Sequence, residues 1–294
     1  MLAAGLAACL LGAVAAWALA AGPVSGVTAS ATTTQPTAGS APPDGTSTGP
    51  PSTGTPPPAR LRRPAPPAYP SRAAIAAAVS YLNARAGRTS LAVVDSQGRL
   101  SGVRLRSRFE SASVVKVMFL TAFLQRLNAD RRGVSALDRS LLYPMIHESN
   151  NEAASAVLDR VGGAAVARVA REAGMHDYAP GVGWWAFTQT SAADQARFFF
   201  RLDRLIPPRL YAYARQLLSS IEPSQSWGIP PVARPRFEVF FKTGQLPSEG
   251  LYNEAARLER PGETFAIAVL TTTEPSMSYG RQTVEGVARA LLGG

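Results

Sequence analysis

Val117, Leu120, Phe123, Leu124 and Leu127 recur at the spacing of one helix face, which predicts a helix over residues 114–127 with a broad buried side. Upstream, an alanine-rich stretch over 71–85, headed by Ser71 directly after Pro70, predicts a capped helix. Residues 89–94 and 100–105 read as strands joined by the turn Asp95-Ser96-Gln97-Gly98. Further helices are predicted from Ser149 to the Gly162-Gly163 break, over 164–173 with Gly174 at the C-cap position, and over 190–204 and 207–219. The last third changes period. Strands are expected at 238–243, 251–258 and 264–271, the last two joined by Glu259-Arg260-Pro261-Gly262-Glu263, before a closing helix at 282–292. That order predicts an α/β (α+β) fold: an antiparallel sheet flanked by the terminal helices, with a helical subdomain inserted in the middle.

The first 69 residues follow other rules. Residues 1–22 form an apolar, uncharged stretch, read as a signal peptide or a membrane anchor. Ala18-Leu19-Ala20 has the small-x-small form of a cleavage site, although no Lys or Arg precedes the run. Leu6-Ala7-Ala8-Cys9 has the form of a lipoprotein box that would put lipid on Cys9. Residues 23–69 are rich in Pro, Thr, Ser and Gly and carry too few large apolar side chains to offset their ordering entropy, so a disordered linker is expected there. Residues 70–294 are enough for one well-buried globular domain, expected to lie outside the cytoplasm, either secreted or tethered to the cell membrane.

Composition narrows the chemistry. Cys9 is the sole cysteine and His147 and His176 are the only histidines, so neither a disulfide nor a zinc cluster is expected, and no metal or cofactor. The net charge of +10 is spread as single arginines, which favours a solvated surface, and no nucleic-acid motif accompanies it. A monomer is expected, with membrane contact only through the N-terminal segment.

Lysine is the exception in this arginine-rich chain. Its two lysines each belong to a short motif, Ser113-Val114-Val115-Lys116 and Lys242-Thr243-Gly244, and Ser149-Asn150-Asn151 lies between them. Arginine keeps its proton in a protein, whereas a desolvated lysine loses it and becomes a base. A serine hydroxyl needs such a base to become a nucleophile. Ser113 and Lys116, three apart at a predicted helix start, lie one turn above each other, within reach of an amine. The helix N-terminus would also help carry the developing negative charge there, with the Ser113 N–H as one oxyanion donor. Ser149-Asn150-Asn151 by itself fits a plain N-cap as well as a site. Lys242, at the end of an apolar strand, is costly unless it faces a cleft, and Gly244 lets a substrate approach the backbone.

Taken together and in this order, the three motifs resemble the penicillin-recognising serine enzymes, and within them the class A β-lactamase family, over roughly residues 71–292. The resemblance implies a β-lactamase/transpeptidase-like fold with the site between sheet and helical subdomain. It implies Ser113 as acylated nucleophile, Lys116 as its base, and Ser149 relaying a proton to the leaving nitrogen with Lys242 nearby. Asn151 would bind a substrate amide and Thr243 the substrate carboxylate, while Gly244 admits the substrate and the Gln245 N–H completes the oxyanion hole. The implied substrate is a small-molecule β-lactam or a cell-wall peptide.

Two departures from the family pattern shape the expectation. Ser149 follows Ser113 by only 36 positions, so the helical subdomain is expected to be shortened and the cleft more open. Where the family carries a Glu-x-x-Leu-Asn element for deacylation, residues 176–188 hold no glutamate, and Asp177 is the segment's one acid. Asp177, His176 and Glu148 are the candidate substitutes, and Trp184 and Trp185 either line the cleft or pack the loop. The readings open at this point are a class A β-lactamase-like hydrolase, a DD-peptidase or esterase whose β-lactam adduct turns over slowly, and a non-catalytic wall-binding domain that kept the fold.

Overall fold

The structure, a computed structural model, describes residues 67–293; the expected leader, the possible lipid site at Cys9 and nearly all of the linker lie outside the described residues. In chain order the elements are α1 (Arg72–Asn83), β1 (Arg88–Val94), β2 (Leu100–Val103), β3 (Arg108–Glu110), α2 (Lys116–Ala129), α3 (Ala136–Tyr143), α4 (Asn151–Val161) and α5 (Gly163–Ala173). There follow β4 (Gln189–Ser191), α6 (Ala192–Phe200), α7 (Leu202–Leu205), α8 (Pro208–Ser219), α9 (Ile229–Ala233), β5 (Glu238–Leu246), β6 (Leu251–Arg260), β7 (Glu263–Thr272) and α10 (Met277–Leu292). Five strands make one sheet in the order β2-β1-β7-β6-β5, every pair antiparallel. The expected mixed fold, with an antiparallel sheet and a helical insertion, is the one found.

Both faces of the sheet are covered, which explains why its central strands read as continuous apolar runs rather than alternating ones. α1 and α10 pack together against the sheet, and α6 packs on β1, β7 and β6. α2 is apolar nearly all round because it is the axis of the inserted subdomain, enclosed by α4, α5 and α8. β5 is the outer strand, and its neighbour beyond the sheet is the turn that opens α2. This is the seam that holds the site.

Several boundaries differ from the sequence expectation, each for a local reason. The single helix expected over 190–204 is a strand and two helices. Residues 189–191 are drawn into a ladder with β3, pairing Phe109 with Thr190, and the helix restarts at Ser191, whose side chain caps Asp194 N. α10 starts at Met277 because Ser276 accepts from the Tyr279 amide. α3 had a legible signal: Ser135 and Asp138 form a reciprocal capping box.

Candidate active site

The segment before Ser113 is fixed from both sides. The β3–β4 ladder carries it, and the Ser111 amide donates to Thr188 O at 2.8 Å. Ala112 then takes a left-handed backbone with φ of +46°, a conformation costly for a residue with a Cβ and common where surrounding structure over-determines a functional position. Residues Ala112–Val115 form a 3-10 turn, and the α-helix begins only at Lys116. Ser113 is thus not in the first turn of the α-helix, as the spacing predicted; it stands in the tighter turn before it. Ser113 is half-buried while Val114, Val115 and Lys116 are buried, so of these four residues only the serine is open to solvent.

Lys116 is fully buried, and its amine reaches across to the second motif rather than to the Ser113 hydroxyl. Nζ donates to Ser149 O, lies 3.2 Å from Ser149 Oγ and donates to Asn151 Oδ1 at 2.9 Å. Burial lowers its pKa to about 6, and the nearby charge of Lys242 pushes the same way. At neutral pH the amine is therefore largely free base, with a lone pair to give.

The second motif is built differently from its sequence reading. Ser149 does not begin α4. It takes a left-handed conformation (φ +58°) at the end of a π-turn, and Asn150 is the N-cap, accepting from Ala153 N at 2.8 Å. The kink turns Ser149 toward Lys116 instead of spending its hydroxyl on the helix end. Asn151 gives its side-chain carbonyl to Lys116, and its NH2 makes no hydrogen bond among the described residues.

On β5, Lys242 and Thr243 are fully buried. Lys242 Nζ donates to Thr243 O at 3.3 Å; burial lowers its pKa to about 7, partly offset by Glu222 and Glu254. No hydrogen bond joins Lys242 to Ser149. Gly244 is demanded by contact: a Cβ there would meet Ser111 O at 2.8 Å, Ser113 N at 2.9 Å and Val114 N at 3.0 Å. All three are backbone atoms that cannot step aside, so β5 lies directly along the Ser113 turn only because residue 244 is glycine. Gln245 follows on the same outer strand.

The segment over 174–188 holds no carboxylate for Lys116. Asp177 is bound to Arg106 at 3.0 Å; burial alone would raise its pKa, but hydrogen bonds from Arg106 and Ser191 keep it low. His176 and Glu148 are exposed and make no contact with Lys116. In place of an acid stands Trp185, nearly buried, with Lys116 Nζ 5.0 Å from its ring centre. Its Nε1 donates to Ser155 Oγ at 3.0 Å, and its ring meets Phe119 edge-on at 5.9 Å. Trp185 thus lines the site and is locked there, whereas Trp184 is partly exposed.

Several site residues escaped the sequence reading. Gln225 accepts the Thr243 hydroxyl at 3.3 Å on Oε1. Arg281 donates to Gln245 Oε1 at 3.5 Å, and its buried Nε has no partner. Glu254, opposite Thr243 in the β5–β6 register, is fully buried and its pKa is raised well above the usual range by that burial. Only Glu254 had a signal, as an acid inside a strand otherwise read as buried. Among the described residues no cluster of His, Cys, Asp or Glu is arranged to hold a metal ion.

A sequence family described as "Beta-lactamase enzyme family" matches residues 133–293, more than half of the chain. The match takes in Ser149, Asn151 and Lys242-Thr243-Gly244 and begins after Lys116. No curated protein sequence matches the chain. The fold is similar to that of a β-lactamase from Sphaerobacter thermophilus DSM 20745, at 22% identity and a TM-score of 0.65, covering 74% of this chain and 95% of that one. A class A β-lactamase from Mycobacterium abscessus is similar at 19% identity and a TM-score of 0.64, covering 74% and 98%. PBP-A is similar at 16% identity and a TM-score of 0.65, covering 76% and 96%. At these identities the likeness is one of fold.

Proposed function

The chain belongs to the beta-lactamase enzyme family, and on that premise we propose that it is an extracytoplasmic serine hydrolase that opens amide bonds of β-lactams or cell-wall peptides through an acyl-Ser113 intermediate. The observation that carries this reading is the state of Lys116: a buried amine, free base near neutral pH, joined to Ser149 and Asn151 beside the Ser113 turn. In the acylation step Lys116 Nζ takes the Ser113 Oγ proton as Oγ bonds to the substrate carbonyl carbon. The oxyanion is held by the Ser113 and Gln245 N–H groups. As the C–N bond breaks, the proton passes from Lys116 through Ser149 Oγ to the leaving nitrogen. Asn151 NH2 binds the substrate amide carbonyl. Thr243, with Lys242 behind it, takes the substrate carboxylate, and Arg281 beside Gln245 supplies a further cation on that side.

Deacylation is the slow half. Water must be deprotonated to attack the ester, and the groups around Lys116 are an indole ring, a serine and an asparagine, with no carboxylate. This favours the DD-peptidase-like behaviour of a penicillin-binding enzyme over rapid antibiotic hydrolysis. A labelled penicillin followed by peptide mapping tests the acylation step. The label is expected on the Ser113 peptide and absent from Ser113→Ala; label on another residue, or none, would reject the mechanism.

A further inference from the structure

Arg197, Arg201 and Arg204 follow one another at spacings of four and three along α6 and α7, which sets them on one face. They line a cavity of about 450 Å³ together with Ser96 and Gly98 of the β1–β2 turn and with Leu100 and Phe200. The sheet order puts β2 at the edge away from β5, so this cavity is separate from the Ser113 turn.

Like charges on one helical face repel, and some arginines elsewhere have an acid beside them, Arg99 with Asp95, Arg106 with Asp177, Arg215 with Glu238 and Glu259, and Arg289 with Glu285. Among the described residues, none of Arg197, Arg201 and Arg204 has a carboxylate within 4.0 Å. The acids near them are committed. Asp95 accepts from the Gln97 and Arg99 amides and from Arg99 Nε, and Asp203 faces Arg257 at 3.3 Å. Asp194, which feels the charge of Arg197, accepts from the His176 and Asp177 amides. Arg201 spends one NH on Ala173 O at 2.8 Å, closing the end of α5, while among the described residues the Arg197 and Arg204 side chains make no hydrogen bond.

We propose that this cavity is a binding site for a phosphate ester. Guanidinium forks match the oxygens of phosphate, and three of them without counter-ions supply the charge that a phosphodiester or phosphomonoester would answer. The apolar side chains of Phe200 and Leu100 in the lining suit the carbon part of the ester, which a bare inorganic anion lacks. The same chemistry is offered by a soluble polyol phosphate and by a phospholipid headgroup.

The test compares the full chain with Arg197→Gln/Arg204→Gln, which leaves Arg201 on Ala173 O. A control, Arg72→Gln/Arg171→Gln, removes the same charge from exposed positions elsewhere. Probes are glycerol 3-phosphate in solution, and vesicles of phosphatidylglycerol against vesicles of phosphatidylcholine. We expect the cavity variant to bind at least about tenfold more weakly than the wild type or the control, with Ser113 acylation and melting temperature unchanged. Binding of glycerol 3-phosphate would assign a soluble ester; preference for phosphatidylglycerol vesicles alone would assign the headgroup. Equal loss in both variants, or a wild type that binds neither probe, would overturn the proposal.

Discussion

At the scale of single residues, the account turns on two buried lysines, placed so that the charge of Lys242 acts on Lys116. Lys116 titrates at about 6 and Lys242 at about 7, so near pH 6 Lys242 is charged and holds the Lys116 pKa down. Acylation at saturating β-lactam should therefore rise with pH through a limb near 6 as Lys116 becomes free base. In Lys242→Gln the repelling charge is gone, Lys116 keeps its proton longer, and the limb moves to higher pH. Stopped-flow acylation across pH 5–9 reads this; a limb that stays in place in the variant would contradict the coupling. The two lysines were legible in the sequence because arginine occupies every other basic position. Gln225 and Arg281 were not, since an isolated glutamine and one arginine among many carry no local pattern; only the chain path sets them beside Thr243 and Gln245.

At the scale of elements, the site is a seam between an outer strand and a turn. β5 can lie against the Ser113 turn because Gly244 has no side chain, and the β3–β4 ladder holds the other side of that turn. Gly244→Ala would push its Cβ onto three backbone atoms and separate strand from turn. We expect acylation to fall by roughly a hundredfold or more, since a displacement of about 1 Å suffices for such a loss. Hydrogen exchange should report loosening confined to β5 and residues 111–115; full activity in this variant would mean that the close approach is not needed. The sheet strands and α2 were readable from periodicity. The break of the 190–204 helix was not, because Thr190 joins a ladder with Phe109, far away in sequence, and local propensity says nothing of such a partner. Ser149 read as a helix start for a different reason, since an irregular turn just before a helix leaves no periodic pattern in the sequence. Its left-handed backbone is imposed by the π-turn before it, not by its own chemistry.

At the scale of the whole molecule, the buried lysines weigh on stability. The native pKa of Lys116 is about 6 against 10.5 for a free side chain, so between those values the unfolded chain binds more protons than the native one. Stability then rises with pH across that window, and Lys242 adds to the slope from about 7 upward. Lys116→Met removes one contribution. The melting temperature of the variant relative to the wild type should be most favourable at pH 6 and should decline steadily toward pH 10. A difference independent of pH would show that Lys116 is not desolvated in the folded state. The sequence alone indicated that Lys242 needed a cleft, but not how completely the fold would bury it and Lys116.

Acylation without rapid release is the central claim, and intact-protein mass measures both parts at once. The protein would be incubated with a penicillin and with a cephalosporin, freed of excess drug and followed for hours, with Ser113→Ala alongside. The account predicts a mass increase equal to the opened drug that persists and is absent from the variant. An adduct that vanishes within seconds while drug is consumed would contradict the slow deacylation inferred from Trp185 and the missing carboxylate. No adduct with either drug would contradict acyl-Ser113 chemistry on β-lactams.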